Sequence, residues 1–143
     1  MTLWHLGTYW EAVADAIPDA PATVHEGRRQ SWASFDDRAA RLAQALIDAG
    51  LKPDAKMAIF AHNSPEYLET QYAAFKARIV AINVNYRYVE EELAYLFDNS
   101  DAEAVVYQAQ FAPRLAAIRA RLPKLKIFIE IADGSGGHLD GAL

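Results

Sequence analysis

Four short apolar runs, each separated from the next by a stretch of helical period, constrain this chain more than any other feature. They are residues 57–61 (MAIFA), 79–84 (IVAINV), 104–107 (AVVY) and 126–131 (KIFIEI). A strand exposed to water on one face alternates apolar and polar residues. Runs without that alternation read as strands covered on both faces, the habit of parallel sheets. Strands alternating with helices at this spacing call for right-handed crossovers. The expected fold class is therefore α/β, a doubly wound and mainly parallel sheet with flanking helices.

The helices between the runs carry recognisable ends. Ser64 reads as an N-cap, with Pro65 at the first helical position and Glu66 in the first turn, and this helix is expected to run to about Ala77. Glu90, Glu91 and Glu92 crowd the positive end of the next helix, which turns Leu93, Leu96 and Phe97 inward and ends near Asn99. Leu115, Ile118 and Leu122 mark a further helix closed by Pro123. Upstream, Ser34 and Asp37 have capping-box spacing before a stripe of Phe35, Ala39, Leu42, Ala43 and Leu46, and Gly50 followed by Pro53 stops that helix.

The N-terminal part reads as a short helix and a β-hairpin. Thr8 and Glu11 form a second capping-box pair, opening a helix from Tyr9 to about Ile17 with Tyr9, Val13 and Ile17 on one face. Pro18 and Pro21 end it. Residues 22–33 suggest a hairpin turning at Gly27, with Arg28 and Arg29 in the turn. The segment 133–143, DGSGGHLDGAL, is Gly-rich and reads as a flexible tail.

Composition narrows the function. The 143 residues suit one domain, 52% apolar and 23% charged, within the range of globular proteins. The net charge is −5, and Arg28–Arg29 is the only adjacent basic pair, so no basic stripe awaits a nucleic acid. Without cysteine there is no disulfide, thiolate nucleophile or thiolate metal site. No apolar run reaches the ~18 residues of a membrane span. The N-terminus lacks a basic region followed by an apolar one, so no secretory signal is read and a cytoplasmic location is expected.

In an open parallel sheet, ligands sit beyond the carboxyl ends of the strands. Two polar clusters fall there, His62-Asn63-Ser64 and Asn85-Tyr86-Arg87-Tyr88. Each has an ordinary reading as a capped loop. Tyr86 and Arg87 are the candidates for facing a nucleotide or a pantetheine group. The run Gly134 to Gly137 is not a phosphate loop, because no Lys followed by Ser or Thr comes after it and Asp140 would repel phosphate. His5, His25, His62 and His138 are too dispersed for a metal site. Trp10, Trp32, Tyr72, Phe75 and Tyr95 fit core positions rather than a stacking platform. No catalytic residue is assigned.

Three segments, in order, resemble the amino-terminal portion of the adenylate-forming ligases, in particular the AMP-forming acyl-CoA synthetases. Residues 31–42 (SWASFDDRAARL) look like the family's first core motif, softened from its usual apolar-Thr-Tyr-x-Glu-Leu pattern. Residues 57–66 resemble its strand and Asn-Ser-Pro-Glu turn. Residues 75–85 (FKARIVAINVN) look like its second motif. The resemblance covers about residues 8–131. Arg78 stands where the family commonly has Gly. A non-Gly residue held left-handed there costs roughly 1 kcal/mol, so this helix is expected to end differently.

The resemblance implies a parent enzyme in which a carboxylate attacks the α-phosphate of Mg-ATP. Pyrophosphate leaves, and the thiol of CoA then attacks the acyl carbon of the resulting acyl-adenylate and displaces AMP. ATP, Mg2+ and CoA are implied for that parent and none for this segment, because the family's Ser/Thr/Gly-rich phosphate loop is not found in these residues. Residues 1–132 are expected to form the N-terminal part of an AMP-binding domain. The implied partners are the remainder of the ligase, a carboxylic or fatty acid acting through the parent, and a homodimer mate. The alternatives are a stand-alone non-catalytic α/β binding or assembly module, and an adenylation-domain piece of a peptide synthetase.

Overall fold

The computed structural model describes residues 4–143; the first three residues, which the reading of the N-terminus includes, lie outside it. The chain divides into two compact units. The first comprises the described part of Met1–Pro53 with Asn63–Ile79, and the second comprises Asp54–His62 with Val80–Leu143.

The second unit holds the parallel sheet. Its strands are β3 (Lys56–Phe60), β4 (Val80–Asn83), β5 (Ala102–Gln108) and β6 (Ile127–Ile131), all parallel and ordered β4-β3-β5-β6. Ile59 faces Asn83 on one side and Val106 on the other. Helices α4 (Glu90–Asn99) and α5 (Ala112–Ile118) supply Leu93, Phe97, Leu115 and Ile118 to a core shared with Phe60 and Val105. The α/β reading holds, with one correction. The second apolar run is not a buried strand: β4 lies at the sheet edge and Val80 is 44% exposed. Apolar composition reports what a strand could bury, whereas strand order decides what is there to bury it against.

At the start of α4 the Glu92 carboxylate accepts the Val89 N–H at 2.9 Å, so the acidic first turn caps as well as complementing the helix dipole. Residues 133–143 carry neither helix nor strand. Leu139 joins the core, and Leu143 exchanges backbone hydrogen bonds with Phe128 and Glu130, both 2.9 Å. Tyr107 donates to Glu130 at 2.9 Å, and burial with this bond pushes its phenol well above the usual range. Gly137 lies so close to the chain that a Cβ there would sit 2.0 Å from the Ala109 carbonyl oxygen. Gly137→Ala should therefore cost about 1–3 kcal/mol by overpacking. Urea unfolding checks this, with amide exchange at Leu143 expected to accelerate.

The first unit contains α1 (Leu6–Ala16), the hairpin strands β1 (Pro21–His25) and β2 (Arg28–Ser31), α2 (Trp32–Asp48) and α3 (Pro65–Ala77). The hairpin turns at Glu26-Gly27, both with positive φ, the backbone that two-residue hairpin turns favour. It is shorter than expected, and Arg28 and Arg29 sit in β2 rather than the turn. Trp32 and Ala33 have left the strand for α2. Their amides donate to the carbonyls of Ala20 and Pro18, at 3.0 and 2.9 Å, which satisfies donors that a helix start leaves open. The N-cap is consequently Ser31, accepting from Ser34 at 3.2 Å, and Ser34 is not the cap.

Helix α1 departs from expectation in the same way. It begins two residues before Thr8, capped by the His5 imidazole, which accepts from the Gly7 N–H at 3.1 Å. Its packed face is Gly7, Trp10 and Ala14, while Tyr9 and Ile17 are 55% and 49% exposed. Tyr95, in α4, is likewise 71% exposed and not core. The other aromatics named above do pack. Trp10 lies with its ring centroid 6.4 Å from Trp32, 5.8 Å from Phe35, 5.1 Å from Tyr72 and 5.5 Å from Phe75.

Arg78 overturns the expectation about the end of α3. It has φ 60° and ψ 34°, in the left-handed region. Its amide donates to Phe75 O at 3.3 Å and that of Ile79 donates to Ala74 O at 2.8 Å, the paired closure of a Schellman ending. Two otherwise open carbonyls are satisfied and Ile79 is buried, which offsets the strain. Arg78→Gly should relieve that strain while loosening the unfolded chain, for a net gain of about 0.5 kcal/mol in thermal or urea unfolding.

Candidate functional site

Within the second unit, β3 lies between β4 and β5. The chain leaves β3 towards one neighbour and returns through α4 to the other, so the carboxyl ends of β3 and β5 flank a topological switch point, where open α/β sheets hold ligands. His62 follows β3 there, and its backbone N–H donates to the Gln108 side chain at the end of β5, at 2.9 Å. The His62 ring lies 4.3 Å from that of Tyr86 and 5.3 Å from that of Phe111. Phe111 in turn stacks on Phe60 at 4.3 Å.

The loop after β4 is built to hold its shape. Asn85 accepts the Arg87 N–H on its side chain and the Tyr88 N–H on its carbonyl, both at 3.0 Å. Arg114, from α5, donates to the carbonyls of Tyr86 and Tyr88, each at 2.9 Å, and lies over the Phe111 ring. Tyr86 is 39% exposed, and the Arg87 guanidinium sits 5.6 Å from its ring. The result is an aromatic cluster of His62, Tyr86 and Phe111 in which Phe111 is buried and the Tyr86 ring is exposed beside the Arg87 guanidinium.

The exposed surface of Tyr86 and Arg87 can stack a flat group and attract an anion. It contains no nucleophile paired with a base. Among the described residues no group of His, Asp and Glu is arranged to hold a metal ion, and no helix is long and apolar enough to cross a membrane.

The two sequence clusters meet only in part. His62 joins Tyr86 and Arg87, whereas Ser64 serves α3 as its N-cap, accepting from Tyr67 at 3.2 Å. Gln108, Phe111 and Arg114 escaped the sequence reading. Gln108 had a signal, being the polar residue that ends the third apolar run. Arg114 had none, because its partners are backbone carbonyls 26 and 28 residues away.

The comparisons with known proteins agree with this architecture. Residues 10–139 match the model of the AMP-binding enzyme family. The chain is 40% identical over 147 aligned residues to the medium-chain acyl-CoA ligase Mig of Mycobacterium avium, covering 93% of this chain and 27% of that one. It is 38% identical over 125 residues to the 3-oxocholest-4-en-26-oate--CoA ligase of Rhodococcus rhodochrous, with 87% and 22% covered. Among solved structures, a fatty acyl CoA synthetase of Mycobacterium tuberculosis superposes with a TM-score of 0.82 at 27% identity, covering 87% of this chain and 26% of that one. The chain thus spans about a quarter of the length of the relatives it matches. It belongs to the AMP-binding enzyme family, and corresponds to the amino-terminal portion of an acyl-CoA synthetase.

Proposed function

We propose that this chain is the N-terminal segment of an ATP-dependent carboxylate–CoA ligase that works through an acyl-adenylate, with a fatty-acyl or related substrate. The family match across residues 10–139 carries the reading, and the acyl-CoA ligase activities of the relatives support it. Residues 1–132 form the N-terminal part of the AMP-binding domain and residues 133–143 the Gly-rich tail leading from it. The parent works in the cytoplasm with ATP, Mg2+ and CoA, and pairs as a homodimer. The segment supplies sheet and walls. Tyr86 and Arg87 face a nucleotide or pantetheine group, supported by the exposed ring and guanidinium beside the switch point. Without a Ser/Thr/Gly-rich loop ending in Lys-Gly among these residues, the segment has no clamp for phosphate charge and does not catalyse adenylation alone.

Two measurements test this. Intact-mass analysis of the endogenous protein should find a species well above 15.9 kDa. The isolated chain should show background ATP–pyrophosphate exchange with MgATP and decanoate. Exchange above background would overturn the inactivity, and a native product of 15.9 kDa would overturn the parent ligase.

A further inference from the structure

The loop between β4 and α4 carries both candidate ligand residues, and its two ends are anchored. Val84 enters it with its N–H donated to Ile59 O at 3.1 Å, and Val89 leaves it with its N–H donated to Glu92 at 2.9 Å. Between those anchors a side chain from another element intervenes. Arg114 stands in the first turn of α5, which follows β5, and reaches the loop that follows β4, on the other side of β3. One nitrogen, Nη1, donates to the carbonyls of both Tyr86 and Tyr88, each at 2.9 Å.

Those two carbonyls belong to peptide groups whose N–H groups are also engaged. In the group joining Tyr86 to Arg87, the C=O meets Arg114 and the N–H meets the Asn85 side chain at 3.0 Å. In the group joining Tyr88 to Val89, the C=O meets Arg114 and the N–H meets Glu92. The peptide group between these two is held by the Tyr88 N–H, donated to the Asn85 carbonyl at 3.0 Å. A planar peptide pinned at both edges cannot turn about its flanking single bonds without breaking a hydrogen bond. The directions in which Tyr86 and Arg87 leave the backbone are set in this way. Among the described residues Arg114 enters no ion pair within 4.0 Å, so its guanidinium is directed to the two carbonyls and to the face of Phe111, 5.4 Å away. Phe111 is buried and stacks on Phe60 of β3, which ties the stem of this clasp to the core.

We propose that Arg114 is a positioning residue, holding the loop so that the Tyr86 ring and the Arg87 guanidinium meet a phosphate-bearing ligand already oriented. The inference rests on the reading of Tyr86 and Arg87 as ligand-facing. Without Arg114 both carbonyls turn to water and the loop samples other conformations. Binding must then order the loop first, which weakens it although no contact to the ligand has been removed.

The isotope-labelled 143-residue chain, titrated with AMP and with 4′-phosphopantetheine, provides the test. Saturable shifts of the Tyr86 ring and Arg87 Nε–H resonances are expected with at least one probe. R114Q should keep the wild-type urea midpoint, because the carbonyls it releases lie in a surface loop. Its Arg87 and Val89 amides should exchange about tenfold faster, as expected for loss of charge-assisted bonds. Probe affinity should fall about fivefold through the loop-ordering cost. R114K keeps donors on a shorter stem and should recover part of both losses. R87A should do the opposite of R114Q, abolishing the probe shifts while the Tyr88 and Val89 amides keep their wild-type exchange. Unchanged loop exchange in R114Q would overturn the proposal, and so would unchanged probe affinity. A fall in the urea midpoint matching the loss of loop protection would also overturn it, making Arg114 a fold contact only. Wild-type silence towards both probes would instead overturn the ligand reading of Tyr86 and Arg87, with the R114Q loop exchange still deciding whether Arg114 holds the loop.

Discussion

Trp10→Ala is expected to lower the free energy of unfolding by about 3–5 kcal/mol, the largest single-residue effect in the first unit. Helix α1 buries only Gly7 and Ala14 besides what Trp10 contributes. The indole touches rings from both α2 and α3, with four centroids within 6.4 Å. Truncation removes apolar burial and edge-to-face contacts together and leaves a cavity among aromatic side chains that are themselves packed. Tyr9→Ala, one residue away on the same helix, should cost under about 0.5 kcal/mol because that ring is 55% exposed. Urea unfolding followed by tryptophan fluorescence and by amide exchange in α1 separates the two. Similar costs for both variants would mean that the packed face of α1 has been misplaced.

Asp36→Ala should cost about 2–4 kcal/mol. The Asp36 carboxylate accepts the hydroxyl of Tyr72, whose ring is fully buried, and pairs with Lys76 Nζ at 2.8 Å. Lys76 also reaches Glu11 at 2.9 Å and lies 4.6 Å above the Tyr72 ring, so one ammonium ties α1, α2 and α3 together. Burial, reinforced by the bond to Asp36, pushes the Tyr72 phenol far above its usual range. Removing Asp36 leaves a buried hydroxyl and a largely buried ammonium short of an acceptor, and that loss exceeds the worth of the bond itself. Adding Tyr72→Phe to Asp36→Ala should therefore recover about 1 kcal/mol relative to the sum of the single changes. Additive costs in a denaturation cycle would show that Asp36 and Tyr72 do not act as a pair.

Both predictions rest on features that the linear pattern carried only in outline. Trp10, Trp32, Tyr72 and Phe75 were legible as core. That they form one cluster depends on the approach of three helices, and hydrophobicity contains no signal for that. Asp36 sits off the apolar stripe of α2 and reads as solvent-facing, yet α3 brings Tyr72 and Lys76 to it. Glu69 is a similar case, a carboxylate tolerated at 6% exposure because Arg38 and Gln30 converge on it from α2 and the hairpin.

The candidate site divides along the same line. Its position was legible, since polar residues following apolar strand runs belong at the carboxyl ends of a parallel sheet. Tyr86 and Arg87 could be named for that reason. The neighbours that shape the site were not legible, because Gln108, Phe111 and Arg114 reach it only through the strand order β4-β3-β5-β6.

What the sequence determined by itself is the order and type of the elements: the four parallel strands, the Ser64 cap with Pro65, the Gly50 stop and the acidic first turn of α4. Each depends on residues within a turn or two of one another, so local stereochemistry and periodicity suffice. The tertiary structure decided where the caps of α1 and α2 fall, which face of α1 is packed, which strands are edges, and that Arg78 is left-handed. For the helices the outcome depends on partners supplied from elsewhere in the chain: the Ala20 and Pro18 carbonyls for α2, the aromatic cluster for α1, and the burial of Ile79 for α3.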